Sequence, residues 1–255
     1  MNKDFLKKGI CEFIVFFLAT LGFSDFTLNT ALFKKTGWVK DECIPGTIIC
    51  SYIVPGTIIA FVYLSGETTF EIKTLVVLVI TYMIGIFLGS GKMLTMDGSK
   101  IRKLIGYAMI FSMFALILRL VVSRGAMGTA AGLKGAQFII AVPMLCVLGY
   151  LLPFGVPMKP VSMAMFMLLG LSPLATLTYI MVIGMAGAFS AGARILKSGR
   201  YEKSIVKAAA TFGSAGAIIG SLFALSMNPY LLTGLMMIVM AFVAYTMLKK
   251  PKAED

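Results

Sequence analysis

The chain has no histidine among its 255 residues, a single tryptophan, four cysteines, and charged side chains at only 13% of positions. Without imidazole there is no Ser-His or Cys-His nucleophile pair and no zinc protease of the His-Glu-x-x-His type. Cys11, Cys43, Cys50 and Cys146 show no Cys-x-x-Cys spacing, and three of them lie inside apolar runs, so the sequence indicates buried thiols rather than a disulfide framework or a zinc site. Gly-x-Ser-x-Gly is missing, and Asp25 has no second intramembrane aspartate with which to form an acid dyad. The expectation is a protein that is not an enzyme and needs no cofactor. Soluble domains carry charge at about a quarter of their positions. The shortage of charge here, with 59% hydrophobic residues and a mean hydropathy of +0.94, is that of an integral membrane protein, read as one transmembrane domain over residues 1–255.

What charge there is carries the topology. The formal net charge of +12 is dispersed in short clusters between apolar runs, not laid out on a polar face, so no nucleic-acid partner is expected. The start has the basic residues and apolar run of a signal peptide, but Glu12 interrupts the run and a small-x-small cleavage site is lacking, so the segment is kept as structure. Apolar runs fall at 10–33, 44–64, 74–91, 104–122, 136–152, 158–171, 173–193, 205–227 and 230–248. The strongest basic groups are Lys92 to Lys103, Arg194 to Lys207, and the tail Lys249, Lys250 and Lys252; all are expected in the cytoplasm. On that assignment Lys34, Lys35 and Lys40 are also inside, as are Lys3, Lys7 and Lys8, yet one apolar stretch separates them. Two readings follow for 10–33: it enters and turns back within the polar stretch Gly22 to Thr30, or it is an ordinary span with an external N-terminus.

The second half repeats the plan. Pro153, Pro157 and Pro160 break any helix within 136–171, which leaves from the outside at Lys134 and must be outside again at Pro173. Asn29 to Phe33 aligns with Ser162 to Phe166, Pro45 with Pro173, and Gly89-Ser90 with Gly220-Ser221, an offset of about 130 residues. The fold class expected is therefore all-α: a polytopic membrane protein of two inverted-topology repeats (about 10–122 and 136–248), each a broken, re-entrant helical hairpin plus three transmembrane helices.

The order of Ile44-Pro45-Gly46-Thr47, Gly170-Leu171-Ser172-Pro173-Leu174-Ala175 and Lys197-Ser198-Gly199-Arg200-Tyr201 resembles the sulfite exporter TauE/SafE family, also called toluene-sulfonate uptake permeases, over nearly the whole chain. The resemblance implies a transporter of the bacterial inner membrane that moves small sulfur-containing anions such as sulfite or organosulfonates, with proton coupling as an option. Its hairpin turns differ from the family's glycine-rich pattern, with Ser24-Asp25 in one and Pro157-Met158-Lys159-Pro160 in the other.

An anion at mid-membrane needs free backbone N–H groups at broken-helix N-termini, hydroxyls beside them and a cation. The candidates are Ser24, Asn29 and Thr30 in the first hairpin and Lys159 and Ser162 in the second, with Ser51, Tyr52, Thr178 and Tyr179 a few residues into the spans that follow. Each hydroxyl has an alternative in a bond to its own helix backbone. Asp25 is the candidate proton-coupling group, or else a cap at the membrane surface. Lys159 either snorkels to the surface, binds the anion, or pairs with Asp25. The 19 methionines are read as apolar filler before a copper(I) path. A non-transporting scaffold remains the other class of function.

Overall fold

The computed structural model describes residues 3–66, 70–90, 110, 128–152 and 158–248. The basic loop Lys92 to Lys103, most of the expected span 104–122, Pro153, Pro157 and the basic tail lie outside the described residues. In chain order the helices are α1 (Lys3–Thr20), α2 (Asp25–Thr36), a 3-10 turn (Asp41–Cys43), α3 (Ile44–Ser65), α4 (Ile72–Ser90), α5 (Ala136–Leu151), α6 (Met158–Leu168), α7 (Pro173–Ser198), α8 (Lys203–Ala208), a π-helical stretch (Ala209–Gly213), α9 (Ser214–Ser226) and α10 (Pro229–Leu248). Four of the continuous helical stretches, Asp41–Ser65, Ile72–Gly89, Pro173–Ser198 and Lys203–Ser226, are long and apolar enough to cross a membrane. Large apolar side chains such as Phe61, Phe87, Ile139 and Leu222 stand on the outer surface, where lipid rather than water suits them.

The first apolar run is two helices, not one. Gly22 holds φ +97°, a left-handed conformation that a side chain disfavours, and a Cβ there would meet the Met163 sulfur at 3.0 Å. Ser24 then caps α2 through its hydroxyl, which accepts from Thr27 N at 3.2 Å, and Gly37 (φ 67°) closes the helix. Lys8, near the start of α1, donates to the Ser204 hydroxyl at 2.8 Å and lies over the Trp38 ring, which follows α2. The hairpin therefore begins and ends at one face of the molecule, here called the basic end, beside the Arg194–Lys207 segment. Of the two readings for 10–33, the one in which the chain turns back is the one these contacts fit. An ordinary span would have put Lys8 and Trp38 on opposite faces.

The second hairpin opens from the other end. Ala130 pairs with Leu171 in an isolated bridge, and Ser172 N donates to Ala130 O at 3.0 Å, so the segment ahead of α5 and the end of α6 lie together. Tyr179, on α7, pins this junction: its hydroxyl accepts from Glu71 N at 3.0 Å and donates to Ala131 O at 2.8 Å. Span boundaries agree with the apolar runs at most ends. Among the exceptions, α1 starts seven residues early at Lys3, and α7 continues past Ala193 to Ser198 because no breaker intervenes before Gly199, so Arg194 and Lys197 ride on the helix instead of ending it. A single cysteine in place of Lys35 or Lys197, both exposed, should react with an impermeant thiol reagent from the same side of the membrane, and one in place of Lys134 from the opposite side; same-side labelling of all three would contradict this arrangement.

Packing exchanges the halves. α1 lies along α8 and α9, α5 lies along α4, and α3 crosses α7 at the centre. Glycines set the two lateral contacts: a Cβ on Gly85 would fall 2.1 Å from Cys146 O, and one on Gly216 would fall 2.2 Å from Phe13 O. Backbones this close gain dispersion and Cα–H···O contacts that lipid does not offer.

Candidate functional site

The two short second limbs, α2 and α6, meet inside the protein. α2 begins at Asp25, where the N–H groups of Asp25 and Phe26 have no earlier helical carbonyl to accept them, and Met158 is the first described residue of α6. Between them Lys159 Nζ donates to Asp25 Oδ1 at 2.5 Å, joining residues 134 positions apart, and both residues are 7% exposed. The ammonium also sits 4.2 Å from the centroid of the Tyr52 ring on α3, an attraction that strengthens away from water. Neither sequence-stated surface role survives. Lys159 does not snorkel to a surface, and Asp25 does not cap α2, since Ser24 performs that task while the carboxylate, in the first turn, meets the helix dipole and the ammonium together.

Beside the pair is a cavity of about 70 Å³ bounded by Ser24, Asp25, Tyr52, Tyr82, Lys159 and Gly184, among others. That volume holds a few waters or one small oxyanion. Gly184 and Gly187 on α7 leave the space for the rings of Tyr52 and Tyr82. A wider vestibule of about 290 Å³ adjoins it, sharing Ile49 and Leu152 as walls, and includes Glu42, Ser190, Arg194 and Arg200 at the basic end. With Arg194 and Arg200 against Glu42, the vestibule is net positive beside a neutral, paired centre.

The structure gathers Ser24, Asp25, Tyr52 and Lys159 at this centre and disperses the other candidates. Asn29 and Thr30 stand a turn or more inside α2, so their backbone N–H groups lie beyond the free first turn; the Thr30 hydroxyl bonds Phe26 O at 2.7 Å. Thr178 bonds Leu174 O at 3.0 Å, the backbone alternative again, and Tyr179 is committed to the junction with Glu71 and Ala131. Ser51 and Ser162 are buried with hydroxyls that have no partner among the described residues. They remain available donors, though neither borders the cavity. Cys50 is buried as expected, whereas Cys11, Cys43 and Cys146 are only partly so, and all four thiols are free.

The residues not foreseen are Tyr82, Arg194 and Glu12. Tyr82 carries no local signal, since its place depends on α4 meeting α7. Arg194 reads as a topology marker until α7 brings it over the vestibule. Glu12 had a signal, an acid within an apolar run, and the structure shows it fully buried against Asn29, whose Nδ2 donates to Oε2 at 3.4 Å. No family model, curated protein or solved structure matches the chain.

Proposed function

We propose that the protein is a secondary transporter that carries a small oxyanion, of the sulfite or organosulfonate kind that the sequence resemblance implies, across the bacterial inner membrane by alternating access, with both termini in the cytoplasm. The observation that carries this reading is the meeting of the start of α2 and the first described turn of α6 on the buried Asp25–Lys159 pair, beside a cavity that shares walls with a basic vestibule. The exchanged packing of α1 on α8 and α9 and of α5 on α4, with hairpins that open from opposite ends, supports two inverted repeats.

Charge decides how the site works. An anion about 4 Å from an ammonium gains about 4 kcal/mol at an effective dielectric of 20, but Asp25 already occupies that position and offers the same attraction. The anion therefore binds when a proton neutralises Asp25 and releases Lys159, so that ammonium, the α2 N-terminus and the Ser24 hydroxyl face the substrate together. Loss of the proton restores the pair and expels the anion. One proton and one anion then move together, and the resting site stays neutral, which avoids an uncompensated charge in the membrane.

The test is uptake of labelled sulfite or methanesulfonate into proteoliposomes, with and without a pH gradient. Wild-type protein should accumulate the anion with an inward proton gradient. Asp25→Asn, a mimic of the protonated acid, should keep anion binding and lose its pH dependence, while Lys159→Ala should weaken binding tenfold or more. No flux of either anion by wild-type protein under any gradient would favour a scaffold role.

A further inference from the structure

We propose that Glu12 is a proton-loading site that supplies Asp25. Its coupling role rests on the transport reading above, whereas its protonation does not. Glu12 lies within α1 and is 0% exposed, as is Asn29 on α2. One bond joins them, from Asn29 Nδ2 to Glu12 Oε2, and the two remaining atoms, Glu12 Oε1 and Asn29 Oδ1, have no partner among the described residues. A proton on Oε1, donated to Oδ1, would close the paired ring of an acid with an amide and satisfy both atoms at once. Without it, two acceptors are left buried and a charge is left unmatched.

Among the described residues no cation is placed to take the proton's part. Lys8, one turn earlier on α1, is held by Ser204 and Trp38. Lys203 and Lys207 on α8 point outward and are exposed. From α3, the Tyr52 hydroxyl is directed to the Met181 sulfur and the Tyr63 hydroxyl to Thr20 O. α9 brings only small polar or apolar residues against α1, with the Ser214 hydroxyl spent on Ala210 O. The charged group that α2 carries on the same buried face as Asn29 is Asp25, which repels a second negative charge.

Asp25, Asn29 and Phe33 form the buried face of α2, and residues four apart on a helix have Cβ atoms about 6 Å apart. Asn29, bonded to Glu12, is thus one turn of α2 from Asp25 on the same buried face. In the step proposed, the proton leaves Glu12 Oε1 and arrives on the Asp25 carboxylate. Glu12 becomes the anion, Asp25 becomes neutral, and Lys159 is freed for substrate, with the total charge unchanged. Neither α5 nor α6 contains an acidic residue, so the proton chemistry belongs to the first hairpin alone.

Infrared spectroscopy of the purified protein tests the protonation directly. Wild-type and Asp25→Asn proteins at neutral pH should show the carbonyl band of a protonated, hydrogen-bonded carboxylic acid that Glu12→Gln lacks and that Asn29→Ala shifts. In proteoliposomes, the ratio of proton-driven sulfite uptake to sulfite–sulfite exchange should fall at least tenfold in Glu12→Gln. Survival of the band in Glu12→Gln overturns the assignment, as does an unchanged ratio. Uptake driven by a sodium gradient and lost in Glu12→Gln overturns it too, in favour of a bound cation. If wild-type protein moves no anion, the transport reading fails by itself, while the band still decides whether Glu12 holds a proton.

Discussion

Replacing Lys159 with methionine is expected to destabilise the protein by about 3–5 kcal/mol, because it leaves the Asp25 carboxylate buried without its partner. The side chains are close in length, so little packing is lost and the change is mainly electrostatic. The 7% exposure of both residues denies the stranded charge the water that would screen it. Asp25→Asn alone should cost less than this but still more than a surface change, since it strands the ammonium against a neutral amide and the Tyr52 ring, which retain part of the attraction. The double variant should recover most of the loss, because two apolar or neutral groups in place of a buried ion pair are close to neutral in stability. Denaturant or thermal unfolding in detergent, run as a double-mutant cycle, measures the coupling. Additive effects of the two substitutions would mean that the pair is not a unit, and the proton-gated release of Lys159 would lose its basis.

Valine at Gly85 or at Gly216 should be as damaging for a different reason. In each case the new Cβ would lie within 2.2 Å of a carbonyl oxygen on the facing helix, Cys146 O or Phe13 O, and backbone cannot rotate aside as a side chain would. The helices must separate along the contact, forfeiting the close approach on both sides of the site. A cost of about 3 kcal/mol or more is expected, seen as loss of a monodisperse species by size-exclusion chromatography or as a lowered unfolding midpoint. Gly234→Ala is the control: nothing lies within 4 Å of its Cβ, and alanine in a helix favours folding by up to about 1 kcal/mol over glycine. Equal stability of Gly216→Val and Gly234→Ala would show that α1 does not ride on α9 as described.

Much of the architecture is written locally. The spans follow from apolar runs bounded by charge, since lipid accepts little else over such lengths. The starts of α3 and α7 follow from Pro45 and Pro173, and the end of α7 from Gly199. The turn of the first hairpin was legible because Lys8 and Lys34 demanded one side of the membrane, a constraint that charge alone imposes. Gly89 and Gly220, aligned in the sequence only as repeat positions, both sit in the lateral contacts, where a Cβ would fall 2.1 Å from Tyr150 O and 2.5 Å from the Thr20 hydroxyl.

The chemistry of the site was decided by tertiary structure. For Asp25 and Lys159 the sequence left a surface role and an Asp25–Lys159 pair both open, because it conveys the cost of a buried charge but not whether a counter-charge 134 positions away reaches it. Thr178 and Tyr179 looked equivalent to Ser51 and Tyr52 by position along their helices, yet rotation about the helix axis turns Tyr52 to the ammonium and Tyr179 to the Glu71 and Ala131 backbone. Glu12 was visible as an oddity in an apolar run, and only the return of α2 beside α1 gave it Asn29. Apolar length and basic clusters act through the solvent, which every residue meets alone; ion pairs, orphaned acceptors and cavities act between side chains, and exist once the helices have packed.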